Sequence, residues 1–257
     1  MGRRHVRKGA PPRWLTSRPI AHRGLHGDTG LVENTLPAIR EAVNQGLGIE
    51  IDVRMTRDDM IVAFHDDMLT RLAGRPDRIA ALVWSDLADI PLHQNGGTAS
   101  VPLLRDVVDA IGEAVPLFIE IKADDVADRR RLCAGVVRAL EGYKGPVAVM
   151  SFDPRLVAWF RDFAPDLARG LIVGRDWLLV IRRRLAASLW LHRLRADFLA
   201  CDIRLLPNSL ATSWRRRRRP VLTWTVRSAQ DVEVASEHAD QVIFERPAPV
   251  KATDTPA

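Results

Sequence analysis

Eight short apolar runs, spaced by stretches with helical periodicity, recur along this chain and leave few folds open to it. The runs predicted as strands are Ile20 to His22, Ile49 to Met55, Pro116 to Lys122, Val147 to Ser151, Ala168 to Val173, Asp197 to Asp202, Val221 to Val226 and Gln241 to Phe244. Between them, Asn34 or Thr35 caps a helix through about Gln45, with Gly46 as its stop. Further helices are expected over Leu103 to Gly112, Asp124 to Gly142, from Asp153-Pro154 onward, over Trp177 to Arg195 and over Pro207 to Arg218. Strands that alternate with helices pair in parallel. Eight such units in 257 residues fit the roughly 250 of a closed (β/α)8 TIM barrel of α/β class. An open doubly wound sheet is the structural rival, but no Gly-rich nucleotide fingerprint follows any strand.

The second strand is followed by an exception. Asp58-Asp59 makes a turn, and Met60 to Phe64 returns as a hairpin arm, because so tight a turn cannot make a parallel crossover. Residues 66–100 hold Gly74, Pro76, Pro91 and Gly96-Gly97 and read as a small irregular insertion at the barrel mouth, with a short helix near Ser85 to Ala88. Residues 1–18 read as a basic N-terminal tail, 19–248 as one barrel domain and 249–257 as a C-terminal tail.

Composition narrows the setting. Cys133 and Cys201 lack metal-type spacing and read as core residues in a reducing compartment. No apolar run reaches the ~18 residues of a transmembrane helix, and the basic N-terminus lacks the apolar stretch of a secretory signal, so a cytoplasmic protein is expected. The net charge of +6 favours anionic partners such as phosphate esters, acidic lipid or nucleic acid.

The chemistry gathers where strands end. In Ile49-Glu50-Ile51-Asp52-Val53, alternate residues share a face, so Glu50 and Asp52 project side by side. Neither stays ionised there without a cation, which is either a divalent metal or Arg23 and Lys122. In Phe118-Ile119-Glu120-Ile121-Lys122, a charge at every second position faces the barrel interior, and burial is costly unless such charges pair or bind metal. Three carboxylates without a nearby cysteine suit Mg²⁺ or Ca²⁺ better than zinc. His22 and His65 each end an apolar run and precede a charged residue, as proton-transfer groups would. His26, His93, His192 and His238 read as structural. Arg23 can grip phosphate with its planar fork, and Lys122 can balance developing charge.

The ordered set His22-Arg23-Gly24, Glu33-Asn34-Thr35, Glu50-x-Asp52, His65-Asp66 and Glu120-x-Lys122 resembles the glycerophosphodiester phosphodiesterase family, from about Ile20 to Pro247. The resemblance implies one divalent metal on Glu50, Asp52 and Glu120, with His22 and His65 as general acid and base in an order the sequence leaves open. Glu33-Asn34-Thr35 reads equally as a helix cap and, by resemblance, as the source of a supporting Glu33. Thr223-Trp224-Thr225-Val226 matches the family's penultimate-strand motif, and Trp224 is either core packing or a wall against the glycerol part of a substrate. Three features depart from the family. Arg227 stands where Asn is usual, Glu245-Arg246-Pro247 replaces Asp-Arg-Pro, and the segment after His65-Asp66 lacks a Gly-rich threonine pattern.

The expected activity is that of a metal-dependent phosphodiesterase, splitting glycerophosphodiesters into glycerol 3-phosphate and an alcohol. An alternative within that class is lysophospholipase D-like hydrolysis of lysophospholipids at a membrane surface. A reading from another class, a non-enzymatic basic module binding nucleic acid or membrane, has Arg215 to Arg219 and Arg182 to Arg184 behind it. It leaves the inward carboxylates and both histidines unexplained, and nucleic acid is not the expected partner. Trp177 to Arg195 is apolar beyond one stripe and carries flanking arginines, so it reads either as an ordinary barrel helix with a basic outer face or as a helix resting on an anionic membrane.

Overall fold

A computed structural model of the protein describes residues 10–27, 30–123, 128–175 and 193–246. Eight parallel strands close on themselves: β1 (Ile20–His22), β2 (Gly48–Met55), β6 (Leu117–Ile121), β7 (Val147–Ser151), β8 (Ala168–Val173), β9 (Phe198–Asp202), β10 (Val221–Val226) and β11 (Gln241–Phe244). Pairing of β1 with both β11 and β2 completes the barrel. β3 (Ile61–Ala63) lies antiparallel on β2, the hairpin arm expected after the Asp58-Asp59 turn. The barrel helices among the described residues are α1 (Leu36–Asn44), α4 (Leu104–Ile111), α5 (Arg129–Ala139), α6 (Pro154–Phe163), α7 (Ser209–Arg216) and α8 (Ala229–His238). The expected helix over 177–195 lies mostly outside the described residues, as do the first residues of the one expected from Asp124.

Alternation along each strand sorts side chains between two cores. Ile49, Ile51 and Val53 on β2 and Leu117, Ile119 and Ile121 on β6 face the helices in the larger apolar cluster. Ile20, Phe118, Ala148, Ile172, Phe198, Leu222 and Ile243 fill the barrel interior. Leu15, on the 3-10 turn Arg13–Thr16, closes the bottom of that interior and is fully buried; Trp14 lies edge-on to Phe118 with centroids 5.8 Å apart. Residues 13–16 therefore differ from the tail expected of them: within a stretch of six Lys and Arg residues over 1–18, the Trp14-Leu15 pair supplies the apolar plug an open barrel end needs.

Phe198 crosses the interior and meets Phe118 edge-on at 5.8 Å. Its ring lies over Gly170, where an added Cβ would stand 2.2 Å from a ring carbon. Gly170→Ala is therefore expected to cost about 1–3 kcal/mol of unfolding free energy through overpacking, measured by denaturant titration. An unchanged midpoint would mean that the interior has slack beside Phe198.

The stretch 66–100 is more ordered than its composition suggests. It holds α2 (Thr70–Ala73), α3 (Trp84–Ala88) and a two-stranded hairpin of β4 (Leu92–Gln94) and β5 (Gly97–Ala99). Leu69, Leu72, Ile79, Leu87 and Leu92 bury a small core with Val62 and Phe64. The turn is Asn95-Gly96, both at positive φ, which is the pattern a tight hairpin selects. Among the described residues no helix is long and apolar enough to cross a membrane.

Candidate active site

Register brings the strand-end residues together. His22 stands beside Glu50 across β1–β2, and Asp52 beside Glu120 across β2–β6. Gly24 turns the chain out of β1 at φ +77, with its Cα against the Ala38 backbone so closely that a Cβ would lie 2.9 Å from the Ala38 carbonyl carbon. That turn places the Arg23 amide on Glu50, donating to Oε2 at 3.1 Å. Arg23 itself holds φ +57, an uncommon conformation for a residue with a side chain.

Glu50, Asp52 and Glu120 are 1%, 0% and 8% exposed, and one oxygen of each lies within 4.8 Å of the others. Their charge is only partly met. Lys122 Nζ stands 2.6 Å from Glu120 and 3.1 Å from Asp52, and Arg23 Nε 3.1 Å from Asp52 Oδ2. Buried Glu50 Oε1 has no hydrogen-bond partner among the described residues. Burial, then the charges of Asp52 and Glu120, push the Glu50 carboxyl well above its ordinary range. Burial likewise raises Glu120, to about 7, against the pull of Lys122. Asp52 goes the other way: burial opposes its ionisation, but Lys122 and Arg23 hold it well below the usual range. Two carboxyls held above their normal range, one with an orphaned oxygen, fit a hard cation that would relieve both.

His22 Nδ1 and the Glu245 carboxylate share a 2.6 Å hydrogen bond, while Nε2 lies 3.8 Å from Glu50. Burial lowers the His22 pKa despite Glu245. Arg227 grips Glu245 with both arms of its fork, at 2.7 and 3.0 Å. Two of the three departures from the family pattern, Arg227 and Glu245, are thus partners of each other. His65 Nδ1 bonds Asp66 at 2.6 Å, and its pKa too is lowered by burial.

The sequence reading missed several residues that hold this arrangement. Asn34 adopts φ +55 and clasps Asp52 twice, donating from Nδ2 to Oδ2 at 3.0 Å and accepting from the Asp52 amide at 3.1 Å. Helix α1 therefore starts without the expected side-chain cap: Asn34 is committed to Asp52, and Thr35 Oγ1 turns back to the Val32 carbonyl at 2.6 Å. Arg71, from the insertion, donates to both oxygens of Glu33 and to Asp66. Glu33 also takes Arg23 Nη1 at 2.7 Å and Gln94 Nε2 at 3.0 Å. Burial would raise the Glu33 pKa, but Arg71 and Arg23 outweigh it and hold the group at about 2. One arginine thus links the partners of Arg23 and of His65, across 38 residues of chain.

These groups open into a cavity of about 360 Å³ lined by His22, Arg23, Glu50, His65, Glu120 and Lys122, with Trp224 on its far wall. Asp52 and Glu33 lie behind it. Trp224 donates to the Ala200 carbonyl at 3.0 Å and meets Phe152 edge-on at 5.5 Å, forming an aromatic rim. Phe152 and Arg204, also on the wall, gave no signal in the sequence.

The profile of the glycerophosphoryl diester phosphodiesterase family matches residues 22–248. The chain belongs to that family. Its match to a lysophospholipase D of Rattus norvegicus is 32% identical over 120 residues, 42% of this chain and 37% of that protein. A human glycerophosphodiester phosphodiesterase 1 is 28% identical over 168 residues, 62% of this chain and 50% of its own. The chain thus spans half or less of these two relatives. A family member from Caldanaerobacter subterraneus, a glycerophosphodiester phosphodiesterase, is 27% identical over 63% of this chain and 71% of its own. Among solved structures, an Oleispira antarctica phosphodiesterase in complex with the product sn-glycerol-3-phosphate superposes with a TM-score of 0.75 at 23% identity, covering 88% of this chain and 91% of that one. The likeness establishes the family's barrel in this chain.

Proposed function

We propose that this chain hydrolyses glycerophosphodiesters to glycerol 3-phosphate and an alcohol, with one divalent cation on Glu50, Asp52 and Glu120. The observation that carries the reading is the buried carboxylate trio, its Glu50 oxygen unpartnered among the described residues, with Glu50 and Glu120 lining a cavity walled by two histidines and Asp52 behind it. Membership of the family, and the product bound in the Oleispira structure, support the substrate class.

The residues divide the work by position. Arg23 and Lys122 present positive charge to the phosphate from two sides of the cavity. His22 and His65 flank the same space, each held by a carboxylate at Nδ1, which leaves Nε2 to exchange a proton with the nucleophile or the leaving alcohol. Glu33 and Arg71 fix Arg23 and His65 in place. A bound Mg²⁺ or Ca²⁺ would polarise the phosphoryl oxygens. Trp224 and Phe152 offer an apolar wall. The exposed side of Phe152 favours lysophospholipids as a second substrate class, and the apolar, arginine-flanked segment 177–195 would bring such substrates from an anionic membrane.

Phosphorus NMR of the products tests the reaction. Glycerophosphocholine is expected to give glycerol 3-phosphate; phosphocholine as the product would place the cut on the wrong side of the phosphorus.

Cation affinity should depend on pH with a definite sign. Glu120, raised to about 7 by burial, must lose its proton to bind a cation, and Glu50 likewise. Affinity is therefore expected to fall by roughly tenfold or more per pH unit below about 7, where Glu120 holds its proton. Calorimetry at about pH 6 and about pH 8 should show protons released at the lower pH. Equal affinity at both would mean that the trio is already ionised without metal.

A further inference from the structure

Beside the acidic trio lies a second group of possible ligands with different chemistry. His26 sits two residues beyond Gly24, in the loop leaving β1, and that loop runs against the exit of β11, where Gly27 rests on the Arg246 carbonyl. His26 is 7% exposed, and neither ring nitrogen has a hydrogen-bond partner among the described residues. A buried imidazole with two unmet nitrogens is costly, and it calls for a partner. One nitrogen of His26, one of His22 and one carboxylate oxygen of Glu245 lie within 4.8 Å of one another. Donors around a single zinc ion stand about 3.4 Å apart, given bonds of about 2.1 Å in tetrahedral geometry. A shift of about 1 Å in these side chains would close the site.

We infer that His22, His26 and Glu245 form a second metal site, selective for a borderline transition cation such as Zn²⁺. Two imidazoles and one carboxylate suit zinc and its neighbours, whereas the all-oxygen trio suits Mg²⁺ or Ca²⁺. The two sites therefore sort cations by ligand type. Arg227 is the group that competes for Glu245; its side chain is 58% exposed, so it can release the carboxylate to the ion and turn to water. Arg23 adds repulsion, and Glu33 and Glu245 offset it.

The site has a consequence for the proposed reaction, and this part rests on that reading. A cation on His22 Nδ1 takes the place of the proton shared with Glu245 and leaves Nε2 as a fixed N–H. His22 then no longer passes a proton in both directions, so zinc inhibits.

Calorimetric titration of the full chain with Zn²⁺, in saturating Mg²⁺, tests the site without using activity. One further ion per chain is expected in the wild type. His26→Phe keeps the bulk of the ring and removes both donors. It is expected to weaken Zn²⁺ binding by at least about tenfold, the lower end of what losing even an outer partner costs a metal site. Its thermal melting and its turnover without Zn²⁺ should be unchanged, and His26→Asn serves as the second variant if the phenylalanine impairs folding. Co²⁺ in place of Zn²⁺ should give visible absorption that His26→Phe abolishes. Equal Zn²⁺ affinity in the wild type and both variants, or a Co²⁺ spectrum indifferent to His26, would overturn the site. Tight binding that depends on His26 but leaves turnover untouched would keep the site and count against the role given to His22.

Discussion

Glu50→Gln is expected to abolish calorimetric binding of Mg²⁺ and Ca²⁺ and to reduce turnover of a glycerophosphodiester by well over about 10²-fold, since outer partners alone cost metal sites ~10–100-fold. The substitution keeps the shape and removes the charge. Glu50 carries a buried oxygen with no hydrogen-bond partner among the described residues, and it accepts the Arg23 amide through the other. In the absence of metal the variant should be no less stable than the wild type, because the carboxyl it replaces is already pushed toward its neutral form by burial and by Asp52 and Glu120. That combination separates a ligand from a structural residue. A variant that lost stability in step with activity would point to a packing role for Glu50. A variant that still bound one hard cation would move the site elsewhere.

His65→Ala and His22→Ala are each expected to lower turnover by the ~10²–10⁴-fold typical of general acid–base groups, with cation binding at the trio retained. Substrates with good and poor leaving alcohols will tell the two apart. Whichever histidine protonates the alcohol should become nearly dispensable when the leaving group needs no proton, as with a nitrophenyl ester, and the other should not. His65 is the more accessible, its side chain 31% exposed against 10% for His22. Normal turnover by either variant on a poor leaving group would remove that histidine from the mechanism.

The barrel was readable from the chain because each strand combines a short apolar run with alternation that serves two cores. Ile49, Ile51 and Val53 face helices while Glu50 and Asp52 face the interior, and that division is visible in five consecutive letters. What escaped the reading depends on contacts between distant residues or on conformation. Asn34 has the chemistry of a cap and also the tolerance for positive φ that lets it clasp Asp52, and a sequence does not choose between these. Arg71 meets Glu33 only because the insertion folds back over the barrel mouth. Arg227 and Glu245 looked like two independent departures; 18 residues apart, they are one ion pair that steadies His22. The hairpin at Asn95-Gly96 had a usable signal, since that dipeptide favours a tight turn, but the polar residues around it hid the strands.

Phosphodiester hydrolysis by this chain is expected to require one divalent cation on Glu50, Asp52 and Glu120. The direct measurement is turnover of glycerophosphocholine by protein stripped with a chelator and then titrated with Mg²⁺ or Ca²⁺. Activity is predicted to be absent after stripping and to return in proportion to one bound ion per chain. Full turnover after exhaustive chelation would contradict the account.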